Sequence, residues 1–167
     1  SSSEIFEKEA KKYKFNFIKR PKLLNKPNAQ GNELIKNCLK EVQNEIIFIL
    51  HVTNPFIKID TIKKCVKLLK KNKIYNSVTP VTSLHDRFWY KNKEVNHKYN
   101  KLIGSQYLTP INIESGSYCF RRSTFLQEKS RISKKNYFIF LDKIQSVDID
   151  DELDFIFAET LMKKFNL

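Results

Sequence analysis

Apolar residues along this chain follow two rhythms, one of strands and one of helices. Residues 45–52 contain the uninterrupted run Ile46-Ile47-Phe48-Ile49-Leu50. A strand so apolar has no solvent face, which predicts a central, parallel strand in a sheet covered on both sides. Thr53, Asn54 and Pro55 end it. Residues 61–71 then follow helical spacing, with Ile62, Cys65, Val66 and Leu69 as an inner stripe. Residues 77–82 form a second strand, so strand, helix and strand make a right-handed parallel crossover.

The same reading extends to both ends. Residues 1–13 predict a helix opened by a Ser1–Glu4 capping box, with Phe6, Ala10 and Tyr13 inward. Residues 14–19 alternate apolar and basic as a short strand, and 20–30, with Pro21 and Pro27, form a loop. Residues 31–42 predict an amphipathic helix on Leu34, Ile35, Cys38, Leu39 and Val42. Residues 88–108 are polar and suggest a hairpin excursion. Residues 117–120 and 137–141 are strand-like. Residues 151–165 close the chain as a helix with Leu153, Ile156, Phe157, Leu161 and Met162 inward. This alternation indicates an α/β fold, a three-layer αβα sandwich with a mostly parallel sheet. In such sheets ligands bind beyond the carboxyl ends of the strands, here residues 51–55, the segment after Thr82 and the segment near Asp148.

At 167 residues, with 41% hydrophobic and 13% aromatic content, the chain supports a single domain over residues 1–167 with a real core. No stretch reaches the length of a membrane span. The formal charge of +13 invites a nucleic-acid reading, but only Arg20, Arg87, Arg121, Arg122 and Arg131 among 31 basic residues are arginine. The lysines are dispersed as solvated pairs, and no arginine–aromatic face gathers them, so charge alone supplies no nucleic-acid motif. Cys38, Cys65 and Cys119 lack any CxxC spacing and are odd in number; Cys38 and Cys65 fall on apolar helix faces and read as small hydrophobes, from which a reducing, cytoplasmic compartment is expected. His51, His85 and His97 show no metal-ligand spacing.

The sharpest chemical feature is the acidic stretch from Ser146 to Asp154. Asp148 and Asp150 stand two apart on an extended segment, which points both carboxylates to one face. Two such carboxylates repel unless protonated or bridged, and a hard divalent cation bridges them well. Asp151 and Glu152 fall in the first turn of the following helix, where its dipole favours acids. Capping of that helix is the simpler use of the whole cluster.

The run SVDIDDELDFIFAETL resembles the closing signature of CMP-sialic acid synthetases and related acylneuraminate cytidylyltransferases. FIKRPKLL, FILHVTNPF, YNSVTPVT, the pair Phe88-Trp89 and SQYLTPINIESGSYCF resemble further family segments in the same order. The resemblance implies a nucleotide-diphospho-sugar transferase-like fold and transfer of CMP from CTP to a sialic-acid-like sugar acid, nonulosonic or octulosonic, releasing pyrophosphate. It implies Asp148 and Asp150 as catalytic, metal-binding aspartates for Mg2+, and Arg20, Gly31 and His51 on the nucleotide. Ser115, Gly116 and Tyr118 would line the sugar pocket. It also implies a homodimer in which residues 89–107 of one subunit help close the other's site.

The departures from the family pattern are specific. Ser115 replaces an asparagine, Gly31 a serine, and Ile57 and Ile113 arginines; Cys119 stands where a tyrosine is common, with Tyr118 one place earlier. An isoleucine cannot pair with a carboxylate as a guanidinium does, which implies an altered sugar pocket. The family also opens on a strand and a glycine-rich basic loop that cradles phosphates. The chain opens on serine and resembles the family from just after that unit, so the first strand–loop–helix–strand unit is expected upstream. A chain without that loop is expected to turn over CTP weakly. The alternative function is a non-catalytic relative serving as a binding or assembly module.

Overall fold

The sheet explains where everything else sits. The computed structural model describes residues 1–166. Its main strands are β1 (Ile46–Leu50), β2 (Ser77–Leu84), β5 (Ile111–Glu114), β6 (Ser117–Arg121) and β7 (Asn136–Phe140), and β3 (Trp89–Tyr90) with β4 (Lys93–Glu94) makes a separate hairpin. β6 lies between β1 and β2 and is antiparallel to both. β5 continues along the same side of β2 as β6, also antiparallel, while β7 runs parallel to β2 on its other side. β1 and β2 therefore point the same way, as the crossover through helix α3 (Ile59–Lys71) requires, but β6 separates them.

The expected central, parallel β1 is thus corrected: β1 is an edge strand of a mostly antiparallel sheet. The reason is instructive. Ile46 and Phe48 pack with Cys65, Leu69, Val78 and Cys119 under α3. Ile47 and Ile49 pack on the opposite face with Ile35, Leu39, Tyr118, Phe120 and Phe125, from helices α2 (Gly31–Cys38) and α4 (Arg122–Glu128) and strand β6. An all-apolar strand reports two covered faces; it carries no information about its in-plane neighbours. The three-layer arrangement, α3 on one side and α2 with α4 on the other, is as expected.

Four smaller expectations are also corrected. Helix α1 (Glu4–Lys12) begins at Glu4 with Ser3 as its cap, while the Ser1 hydroxyl accepts the Ser3 N–H; of its intended inner face only Ala10 is buried. Residues 14–19 form no strand: they fold back on α1, with bonds from the Phe15 N–H to the Ala10 carbonyl and from the Ser1 ammonium to the Ile18 carbonyl. Helix α5 (Glu152–Phe165) forms, capped reciprocally by Asp151 and Asp154, but only Ala158 of it is buried. Leu153, Ile156, Phe157 and Met162 are exposed rather than inward, because no other described element packs extensively against α5. Cys38, expected on an apolar face, is also exposed at the end of α2.

Candidate active site

The site begins with an irregularity in the sheet. Between Val78 and Val81 strand β2 advances three residues, while its partner runs from Cys119 back to Glu114. The surplus is a bulge spanning Ser115–Tyr118, and it falls opposite Pro80, whose missing N–H could not have continued the ladder. Ser115 turns its hydroxyl and its N–H onto the Pro80 carbonyl. Gly116 adopts φ = 72°, a left-handed conformation that favours glycine. A Cβ at Gly116 would lie 3.6 Å from both Asp148 Oδ2 and His51 Nδ1. The bare backbone here lets a carboxylate and an imidazole from distant segments converge at the carboxyl end of β1.

A buried polar junction holds the two segments in place. Asn54, fully buried, donates its amide to the carbonyls of Gln145 and Val147, both at 2.9 Å, and accepts the Ser117 hydroxyl at 2.9 Å. Gln145 in turn accepts from the Thr61 hydroxyl and the Lys58 N–H, which ties in the start of α3. Asp142 closes the loop from below by accepting the N–H groups of Ile144 and Gln145, the Gln145 side chain and the Lys58 ammonium. Those bonds, the backbone N–H of Gln145 foremost, hold the Asp142 carboxyl below its ordinary value. The Ile149 N–H reaches the Thr53 carbonyl, so residues 147–149 run alongside the turn that follows β1.

On the far side of His51 lies a basic–aromatic group. Tyr118 is buried and tilts toward His51, ring centroids 5.8 Å apart. Its hydroxyl donates to Glu114 at 2.7 Å and accepts from Arg131 at 3.2 Å, and the Arg131 guanidinium stacks 3.9 Å above its ring. Burial, reinforced by the Glu114 carboxylate, pushes the Tyr118 phenol up to about 12, so it stays a donor across the physiological range. Gly31, at the start of α2, comes so close that a Cβ there would meet Arg131 Nη1 at 3.0 Å. Beside this group lie an apolar cavity of about 430 Å³ between α2 and β1, reaching His51, and a polar cleft of about 310 Å³ walled by Gln30, Asn32 and Ser130.

Asp148 fits a role in cation binding. Its Oδ1 is buried without a hydrogen-bond partner, an uncompensated acceptor of the kind a cation satisfies. Among the described residues no group of three or more His, Cys, Asp or Glu side chains could hold a metal by itself. One or two carboxylates completed by phosphate oxygens and water is the usual protein share of a Mg2+ site, so the donor set suits a cation that arrives with a phosphorylated ligand.

The fold brings His51, Gly116, Tyr118 and Asp148 together by direct proximity, with Ser115 next to Gly116 in the bulge and Gly31 reached through Arg131; of these, Gly31 and His51 line the apolar cavity. Asp150 follows Asp148 but is exposed, with its N–H spent on Asp154. Arg20 lies on the loop ahead of α2, its N–H bonded to the Ser1 carbonyl, and it lines neither cavity. Sequence reasoning missed Arg131, Glu114 and the junction residues Gln145 and Asp142. Arg131 sits in no motif. Its one sequence signal is scarcity, five arginines among 31 basic residues.

Comparison with known proteins bears on the family and the fold. Residues 1–161 match the family described as cytidylyltransferase. The chain is 26% identical over 178 aligned positions to the N-acylneuraminate cytidylyltransferase of Escherichia coli O18:K1:H7, covering 99% of this chain and 42% of that protein. It thus spans about two fifths of that relative's length. Among solved structures, the CMP:2-keto-3-deoxy-manno-octonic acid synthetase complexed with CTP superposes with a TM-score of 0.69 at 10% identity, over 98% of this chain and 79% of that one. The 4-diphosphocytidyl-2C-methyl-D-erythritol synthase of Anaerococcus prevotii gives 0.67 at 14% identity, over 95% and 76%. At those identities the likeness is one of fold.

Proposed function

The chain belongs to the cytidylyltransferase family, and from that premise we propose that its cleft forms a CMP-sugar and pyrophosphate from CTP and a sugar acid of the nonulosonic or octulosonic class. The observation that carries this reading is the convergence of Asp148 and His51 over Gly116, with one Asp148 oxygen left unpartnered. The names of the relatives support the substrate class, since one acts on N-acylneuraminate and another on 2-keto-3-deoxy-manno-octonic acid.

In the reaction the acid's anomeric hydroxyl attacks the α-phosphorus of CTP. An oxygen–phosphorus bond forms there, the bond to the β-phosphate's bridging oxygen breaks, and pyrophosphate leaves. Catalysis of such a step is mostly positioning and charge neutralisation. Mg2+, held by Asp148 with Asp150 beside it, would supply neutralisation of the phosphates when bound. His51 and the backbone at Gly31 orient the nucleotide, and Ser115, Gly116 and Tyr118 shape the sugar side; Arg20, which lines neither cavity, takes no part in this reading. We place residues 89–107 as the excursion through which two copies pair, with the cavity of about 650 Å³ between Val95 and Ile111 beneath it. Among the described residues no helix is long and apolar enough to cross a membrane.

The test is release of pyrophosphate from CTP with Mg2+ and a panel of both acid classes. Turnover that needs CTP, the cation and one acid establishes the reading. CTP binding without turnover for any acid moves the chain to the non-catalytic, binding-module alternative.

A further inference from the structure

The arginines of this chain are not equivalent. Arg121 donates to the carbonyls of Leu69 and Asn72, Arg122 to those of Val42 and Leu39, and Arg87 to that of Ile103. Their charges are spent on tying backbone together. Arg131 makes one hydrogen bond, to the Tyr118 hydroxyl, and its guanidinium carbon lies 3.9 Å over that ring. The ion pairs among the described residues are Lys11–Glu7, Lys12–Glu9, Lys58–Asp142 and Lys163–Glu159; Arg131 is in none of them. A guanidinium carries five N–H donors, so most of this one's fork remains unused, half-buried and held in orientation by stacking. Gly31 admits it: any side chain there would begin 3.0 Å from Nη1.

The neighbouring cleft contains the opposite need. Asn32 Oδ1 is buried with no hydrogen-bond partner, in the same cleft that Arg131 lines. A ligand filling this space must bring an anionic group for Arg131 and a hydroxyl or N–H donor for Asn32. A polyhydroxylated carboxylic acid carries both. Inorganic phosphate offers acceptors alone; a nucleotide carries donors as well and is separated from the acid by the CTP arm of the experiment below. The unpartnered Asp148 oxygen, suited to a phosphate-borne cation, lies beside Gly116, on the other side of His51 from Tyr118 and Arg131.

We propose that Arg131 is the specificity-determining residue of the site, receiving the carboxylate of the acid substrate on its free fork while Asn32 accepts from a substrate hydroxyl. This rests on the proposed transferase reading and deepens it. A planar fork facing a carboxylate gives two parallel charge-assisted bonds, a geometry that an ester cannot match. Tyr118 then acts as a positioning residue: its ring carries the guanidinium and its hydroxyl, fixed by Glu114, sets the direction of the fork.

The experiment is equilibrium titration of the full chain, with CTP and Mg2+ present, by 2-keto-3-deoxy-manno-octonic acid, by N-acetylneuraminate and by their methyl esters. Wild type is expected to bind at least one acid and to prefer it over its ester by about tenfold or more. R131A is expected to lose that preference and to bind the acid about tenfold more weakly, with CTP affinity within about twofold of wild type. R131K, which keeps the charge without the fork, is expected to fall between them. Thermal melts of both variants confirm folding. The proposal is overturned if wild type binds no acid, if R131A keeps the ester discrimination, or if R131A weakens CTP rather than the acid, which would make Arg131 a phosphate contact. Acid binding with the ester effect but no pyrophosphate release sinks the transferase reading and leaves the Arg131 assignment standing. Turnover with an unchanged KM for the acid in R131A does the reverse.

Discussion

Strands β1 and β2 point the same way, and each is followed by a segment organised around one asparagine. After β1, Asn54 donates to two carbonyls, of Gln145 and Val147, and accepts the Ser117 hydroxyl. After β2, Asn96 donates to two carbonyls, of Asp86 and Thr109, and accepts the Phe88 N–H at 3.0 Å. The bonding pattern is the same; the surroundings are not. Asn54 is 0% exposed, whereas Asn96 is partly open to water, and the loop it closes displays Trp89, Tyr90, Tyr99, Leu102 and Tyr107. The difference separates two uses of one residue type. Where water is excluded, each lost partner leaves an uncompensated polar group, so the junction is rigid and can aim a catalytic group. Where water can substitute, the loop is merely closed, and its apolar residues stay available to a neighbour.

The largest expected effect follows from what the buried junction aims. D148N keeps the shape of the side chain but removes the charge that would face a cation. We expect pyrophosphate release to fall by about a hundredfold or more, with the melting temperature little changed. A loss of stability comparable to the loss of rate would show that Asp148 is structural.

Next in size is the comparison itself. N54A strands the Ser117 hydroxyl and two carbonyls in a dry interior, which is expected to cost about 3 kcal/mol of unfolding free energy in a denaturant titration. N96A removes the same number of bonds where water can replace them and is expected to cost about 1 kcal/mol. Equal costs would mean that burial is not what distinguishes the two. N54A should also depress turnover beyond its effect on the folded fraction, because residues 147–149 lose their anchor; N96A should not.

These two sites also show what was legible in the sequence. The apolar run of β1, the stripe of α3, the strand nature of β6 and β7 and the excursion after β2 were all readable, because each is a local pattern of period or polarity. The antiparallel sheet was not, since β6 enters between β1 and β2 from 40 residues away, roughly, and no side chain of β1 records which edge is filled. The exposed face of α5 was unreadable for a related reason: apolar content marks a helix but not what covers it. In the cleft, His51, Gly116, Tyr118 and Asp148 were picked out by resemblance. Arg131 was not, because it arrives from an irregular segment and acts only through its place on the Tyr118 ring.

A smaller effect is expected in acid. The folded Asp142 carboxyl lies below its ordinary value of 3.8, chiefly through the Gln145 N–H. A depressed folded pKa means that the stabilisation is fully present above the unfolded value and is lost as pH falls through the folded one. Melting temperatures of wild type should therefore drop more steeply below about pH 4 than those of D142N, which has no charge to lose. At neutral pH the variant should be slightly less stable, because the neutral amide would accept more weakly from Lys58 and the loop N–H groups. Parallel melting curves across the acid range would show that the loop closed by Asp142 does not depend on its charge.

The smallest expected effect on folding lies in the excursion. Tyr99 and Tyr107 are 70% and 75% exposed, and Leu102 is 75% exposed, so their rings and branches leave little further to gain or lose when the chain unfolds. Replacing Tyr99 or Leu102 by serine is expected to change unfolding free energy by less than about 0.5 kcal/mol. Transfer of apolar surface out of water has to be made with something, and here the partner under our proposal is the excursion of a second copy. The informative measurement is therefore mass, not melting. Sedimentation of wild type should shift toward the dimer with rising concentration, and L102S should shift that transition to higher concentration while leaving the melting temperature of the monomer in place. A wild type that stays monomeric at every concentration would remove the pairing role from residues 89–107. An L102S variant that unfolds early would show that the loop packs more tightly than its exposure indicates, and the contrast drawn from Asn54 and Asn96 would then narrow to the two asparagines alone.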